Sequence, residues 1–155
     1  MAITVRYLTI LGLILTALLL QGCPMSMAIT VHNNTKSEIL VELKDGQMKW
    51  PPGASLRFDA NMDRLQWVHE DNLYIPLLTL SRGGKVANYR LISARRPMPS
   101  EYIAHSPGKG FTSGTEEYRF QLEANGNLYV VRPGSPLPAT ALEPQPPGFP
   151  IKPDD

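Results

Sequence analysis

The chain has 155 residues, 15 Lys+Arg against 14 Asp+Glu, a net charge of +1 and a single cysteine. This balance excludes the strongly basic surface of a nucleic-acid-binding protein, and one cysteine excludes an internal disulfide. The length suits one domain with a sizeable core and leaves no room for two.

The chain opens MAITVRYLTILGLILTALLLQGC, with Arg6 as its one charge and an apolar run from Leu8 to Leu20. A membrane-spanning helix needs about 20 predominantly apolar residues. This run is shorter and stops at Gln21-Gly22-Cys23-Pro24. A basic start, a short apolar middle and a small-residue end predict a secretory signal helix over residues 1–22. Leu20-Gln21-Gly22-Cys23 resembles the lipobox of bacterial lipoproteins: an aliphatic residue, a tolerant position, a small residue, then cysteine. The resemblance covers the first 23 residues. It implies cleavage before Cys23, a diacylglycerol on the Cys23 sulfur, and usually an acyl chain on the new amino terminus. Pro24 stands where an aspartate is linked to inner-membrane retention, so the resemblance implies the periplasmic face of the outer membrane. The 133 residues that would remain lose only Arg6, which leaves 14 cations against 14 acids. Lipid, not a polybasic patch, is then expected to hold the protein at the membrane.

Residues 23–27 read as a tether, 28–132 as a β domain and 133–155 as a proline-rich tail. Ala28–His32 and Glu38–Lys44 are β-rich runs separated by the turn formers Asn33-Asn34-Thr35-Lys36-Ser37, and Ile39, Val41 and Leu43 repeat with the period of a half-buried strand. Asp45-Gly46 predicts a two-residue hairpin turn returning along Gln47–Trp50. Pro51-Pro52-Gly53 ends that strand. Strands follow over Ser55–Ala60 and Arg64–Val68, with a polar turn at His69-Glu70-Asp71-Asn72. Leu73–Leu80 has the length of a core strand, but Pro76 inside it predicts an edge position or a bulge. After the turn Ser81-Arg82-Gly83-Gly84, Val86–Ser93 resumes the strand pattern. Arg95–Thr115 is rich in proline and glycine and reads as a long loop, with space for a short strand around Tyr102–Ala104. Tyr118–Leu122 and Leu128–Val131 form a hairpin about Asn125-Gly126. No amphipathic helix follows the signal segment. The expected fold is all-β, a small antiparallel sandwich of immunoglobulin-like or transthyretin-like kind, with a small barrel as the alternative.

No motif commits the chain to a reaction. His32, His69 and His105 have no metal-ligand spacing, so neither a metal nor a cofactor is expected. His105-Ser106 are neighbours on an extended chain and point apart. Ser113-Gly114 lacks the pattern of a nucleophile elbow. The pairs Gly108-Lys109-Gly110 and Gly83-Gly84-Lys85 lack phosphate-loop spacing. Trp50, Trp67, Tyr74, Tyr89, Phe120 and Tyr129 fall in strand-like runs and are expected to pack within the domain.

Two places stand out. The long loop could form a binding surface from Arg95, Arg96, Glu101, Tyr102 and His105, with the arginines receiving a carboxylate or phosphate. In the tail, Phe149 and Ile151 are costly to leave in water. The tail is therefore expected to dock Leu137, Leu142, Phe149 and Ile151 on the sandwich, in preference to offering a polyproline ligand to a partner. The resulting expectation is a lipid-anchored, non-enzymatic binding or assembly component with an envelope protein partner and no nucleic acid. The alternatives are a cell-wall or glycan hydrolase with its site in residues 95–115, and an exported enzyme inhibitor.

Overall fold

The computed structural model describes residues 26–59, 64–108, 114–140, 142 and 144–154. The expected signal helix and Cys23 lie outside the described residues. Ser26 and Met27, expected in the tether, already belong to the first strand, β1 (Ser26–Asn33). Nine more strands follow: β2 (Ile39–Leu43), β3 (Gly46–Trp50), β4 (Ser55–Phe58), β5 (Gln66–Glu70), β6 (Leu73–Arg82), β7 (Lys85–Arg90), β8 (Ile103–Ser106), β9 (Thr115–Leu122) and β10 (Leu128–Val130). One turn of 3₁₀ helix, Ser100–Tyr102, precedes β8. The strands form two five-stranded sheets. The fold is a small β-sandwich, not a closed barrel.

In the first sheet β9 lies beside β1 in parallel, from Ser26↔Thr115 to Asn33↔Leu122. β4 runs antiparallel along the other edge of β1. β8 pairs with Thr115–Tyr118 and β10 with Phe120–Leu122, so these two share the remaining edge of β9 end to end. In the second sheet β2 pairs with Thr79–Ser81 of β6, and β5 with Leu73–Leu77. Leu77 is opposite both Gln66 of β5 and Arg90 of β7, so β2 and β5 share one edge of β6 while β7 takes the other. β3 completes the sheet beyond β2.

Several local expectations change. The β2–β3 turn is Lys44-Asp45, one residue earlier than expected, because Leu43 pairs with Gly46. In the polar segment at 69–72, His69 and Glu70 belong to β5. Only Asp71 and Asn72 turn, with φ of 49° and 63°, as a tight two-residue hairpin requires. Pro76 sits in a central strand, not an edge strand. It falls where pairing with β7 stops: Leu91 N–H donates to the Pro76 carbonyl at 3.1 Å, and proline has no N–H to return the bond. The short strand allowed around Tyr102–Ala104 forms as β8, Ile103–Ser106, in line with expectation.

The core lies between the sheets. Ile29, Val31, Tyr118, Phe120, Leu122 and Leu128 from one sheet meet Ile39, Val41, Trp50, Leu78, Leu80 and Tyr89 from the other. Asn33, at the end of β1, ties the crossing from the first sheet to the second. Its Nδ2 donates to the carbonyls of Ser37, Trp50 and Pro51, each at 3.1 Å. Its Oδ1 accepts from the N–H and hydroxyl of Thr35.

The tail is part of this fold. Ile151 is fully buried and exchanges both backbone hydrogen bonds with Leu128 on the outer edge of β10, at 2.8 and 2.9 Å. Two residues along that edge, Val130 N–H donates to Gln145 Oε1 (2.9 Å) and Gln145 Nε2 donates to the Val130 carbonyl (3.2 Å). A side-chain amide thus stands in for a strand. Gln121 makes the reciprocal arrangement, its amide exchanging bonds with the N–H and carbonyl of Ala139. Asp154 then reaches the second sheet, donating its N–H to the Asn88 carbonyl at 2.7 Å and accepting from Asn88 through its carboxylate. Removing the Ile151 side chain leaves a cavity at this junction. Ile151→Ala is expected to lower stability by about 2–5 kcal/mol and Gln145→Ala by about 1 kcal/mol, read as shifts of the urea midpoint; an unchanged midpoint for Ile151→Ala would show that the tail does not close the core.

Candidate functional site

The two ends of the sandwich differ. β1 begins at Ser26 beside Thr115 and Ser106; this is the entry end. It finishes at Asn33 beside Leu122. At that far end a cavity of about 190 Å³ opens between the sheets, lined by Ile39, Leu80, Ala87, Tyr89 and Leu122. Arg82 and Lys85 stand at its rim, paired across the Gly83-Gly84 turn and therefore on one face of the hairpin. Neither cation makes an ion pair with a described residue. Thr35, Glu123, Gly126 and Pro153 close the remaining side. Glu123 is already engaged, accepting hydrogen bonds from Asn34 and Gln121. The Tyr89 hydroxyl donates to the Gly126 carbonyl at 2.7 Å, which fixes the cavity floor against the β9–β10 turn. Burial, then the nearby Asp154 carboxylate, pushes the Tyr89 phenol up to about 12, so it remains neutral at physiological pH. An apolar hollow with a few convergent polar groups is the usual form of a small-ligand site.

The residues expected to form one binding loop do not converge. Arg95 pairs with Asp71 (2.9 Å) and Glu70 (3.4 Å), and its hydrogen bond to Asp71 holds that carboxyl below its ordinary range. Arg96 lies against the tail. It donates to the carbonyls of Arg90 (3.2 Å) and Gly148 (3.4 Å), and its guanidinium carbon is 5.6 Å from the centre of the Phe149 ring. Gly148 has φ +84°, and a Cβ there would fall 2.8 Å from Arg96, so only glycine fits. Glu101 is exposed on the 3₁₀ turn, whereas Tyr102 is buried, with the Arg132 guanidinium over its ring at 5.3 Å. His105 stands on β8 at the entry end, 3.8 Å from Glu116, whose other oxygen accepts from the Tyr118 hydroxyl at 2.6 Å. Burial and that carboxylate raise the Tyr118 phenol above its ordinary range. A hollow of about 360 Å³ does gather Glu70, Arg90, Ser93, Arg95 and Arg96, but its acids and backbone carbonyls already occupy Arg95 and Arg96.

No three His, Cys, Asp or Glu side chains among the described residues are placed to hold a metal ion. One serine–histidine contact exists: Ser55 Oγ lies 2.9 Å from Nδ1 of His32. Nε2 of that ring is buried and meets no described hydrogen-bond partner, so the pair lacks the orienting acid that an activated nucleophile uses. The signal for the far-end cavity was present in the sequence as two cations flanking Gly83-Gly84. Only cross-strand pairing across that turn brings the two cations onto one face. The chain matches no family model, and neither a curated protein nor a solved structure is similar to it.

Burial pulls the His32 imidazole below its ordinary value of 6.5, and the opposing attraction of Glu123 is smaller. The unfolded chain therefore binds a proton near pH 6.5 that the folded chain refuses. Stability is fully kept above that pH, falls as pH drops through it, and stops falling once the lower folded-state pKa is passed. Urea midpoints at pH 7.5 and pH 5 are expected to differ less in His32→Gln than in the unsubstituted protein. Equal pH dependence in the two would show that His32 is not the group responsible.

Proposed function

We propose that this chain is a lipid-anchored protein of the bacterial envelope, held by acyl chains on Cys23, whose β-sandwich binds a partner or ligand without performing a reaction on it. The observation that carries the binding role is the far-end cavity, an apolar hollow with two cations at its rim that make no ion pair with a described residue. The lipobox resemblance at Leu20–Cys23 supports the anchor and, with Pro24 following, the periplasmic face of the outer membrane. A near-neutral mature chain supports lipid over charge as the means of attachment. The binding reading is favoured over a hydrolase with its site in residues 95–115, because among the described residues Arg95 and Arg96 share a hollow while Glu101, Tyr102 and His105 lie elsewhere. An envelope protein presenting a group with apolar and anionic parts is the partner this cavity suits.

Two measurements test the reading. Cys23→Ser is expected to accumulate as unprocessed precursor and to lack the acyl mass that intact-protein mass spectrometry finds on the unsubstituted protein; an unchanged mass and processing pattern would remove the anchor. For the cavity, an anionic naphthalenesulfonate fluorophore serves as probe. Its affinity is expected to fall about tenfold, or 1.4 kcal/mol, when Arg82 and Lys85 are both changed to Glu, and to fall likewise when Ala87→Trp fills the hollow. Unchanged affinity in both variants would place the probe elsewhere and the binding role with it.

A further inference from the structure

We propose that the β5–β6 hairpin tip rests on the membrane surface at headgroup level, so that the far-end cavity faces away from the bilayer. The proposal rests on lipidation of Cys23. Its geometry comes from the fold. β1 starts at Ser26, three residues after Cys23. Three residues span at most about 11 Å when fully extended. Lipid on Cys23 therefore brings the entry end of the sandwich to the bilayer, whatever path the intervening residues take.

The second sheet places the hairpin tip at that same end. β6 runs from Leu73 to Arg82, and Leu80 and Arg82 line the far-end cavity together with Leu122 of the first sheet. The far ends of the two sheets thus coincide. Leu73 and Tyr74 begin β6, a strand about 30 Å long at 3.3 Å per residue, and so lie at the entry end.

The tip has the chemistry of a membrane–water boundary. Three large hydrophobic residues among those described are exposed: Leu73 at 50%, Tyr74 at 74% and Val86 at 57%. Two of the three are adjacent here. Tyr74 lies edge-on to His69, with ring centres 5.3 Å apart, which presents an aromatic body with polar rims. Tyrosine in this form favours the headgroup zone over either water or hydrocarbon. Asp71, the one carboxylate of the turn, is neutralised by Arg95 at 2.9 Å and does not repel anionic headgroups as a free charge would. Its polarity keeps the tip from entering the hydrocarbon. Few exposed apolar groups are involved, so the contact orients the domain and leaves attachment to the acyl chains.

The test uses the full lipoprotein in phosphatidylethanolamine–phosphatidylglycerol vesicles doped with a lipid that carries a nickel chelate on its headgroup. A nitroxide is attached through Tyr74→Cys, and in a separate protein through Val86→Cys, which lies toward the far end. Acylated Cys23 offers no thiol to the reagent. The label at 74 is expected to show relaxation by the headgroup nickel several-fold stronger than the label at 86, and Leu73→Ser in the Tyr74→Cys background is expected to reduce it. Equal relaxation at 74 and 86 in protein whose mass shows the acyl chains overturns the tip contact and leaves the anchor standing. A mass that shows unmodified Cys23 overturns both.

Discussion

The outward-facing backbone groups of β10 and β7 must be hydrogen-bonded, and the structure depends on how this is done. A free strand edge is a template for uncontrolled pairing, and proteins cover or charge such edges. Here the last dozen residues do so for both sheets. Ile151 completes the edge of β10 as a one-residue strand, Gln145 continues it with a side-chain amide, and Asp154 meets Asn88 on β7. The same segment closes the core between the sheets by burying Ile151 completely. Edge protection, sheet-to-sheet connection and core closure are therefore one interaction. Proline suits such a segment, since a residue that cannot join a ladder can still present one or two residues that do.

A second set of buried polar groups fixes where the chain changes sheets. Asn33 satisfies three carbonyls and two donors at the point where β1 gives way to the turn before β2. Each of those groups is expensive to bury unpaired. Its neighbour His32 points to the opposite face of the sheet, where Gln121 lies beside it and holds Ala139. Fully satisfied amides at these positions specify one crossing and one tail path, which apolar residues of the same size would not.

The resulting molecule has two chemically distinct ends. The far end carries an apolar hollow, rimmed by Arg82 and Lys85, between the sheets. The entry end carries ion pairs, the His105–Glu116 contact and the exposed Leu73 and Tyr74. Strand direction alone produces this polarity, because β1 and β6 run the same way through the sandwich and any chain that leaves at Ser26 leaves on the side of Leu73. With an acylated Cys23, the hollow would open to the periplasm and the hairpin tip would meet the lipid.

The sequence by itself determined the all-β class, most of the strands and the cost of exposing Phe149 and Ile151. Each depends on local signals: alternation of apolar residues, Gly and Pro turn chemistry, and unusual apolar residues in a polar segment. It also supplied the lipobox resemblance, which is read from consecutive residues. Only the tertiary structure decided that β9 lies parallel to β1, that Pro76 interrupts one edge of a central strand, and that Tyr102 is core while Arg96 is a tail clamp. The far-end cavity belongs to the same class. Its lining comes from residues as distant as Thr35, Leu80, Leu122 and Pro153, and no local pattern encodes which turn of one sheet will face which turn of the other. Pairing partners and the two faces of a sandwich are settled by long-range packing, where hydrophobic burial is non-directional and register is chosen by the whole core at once.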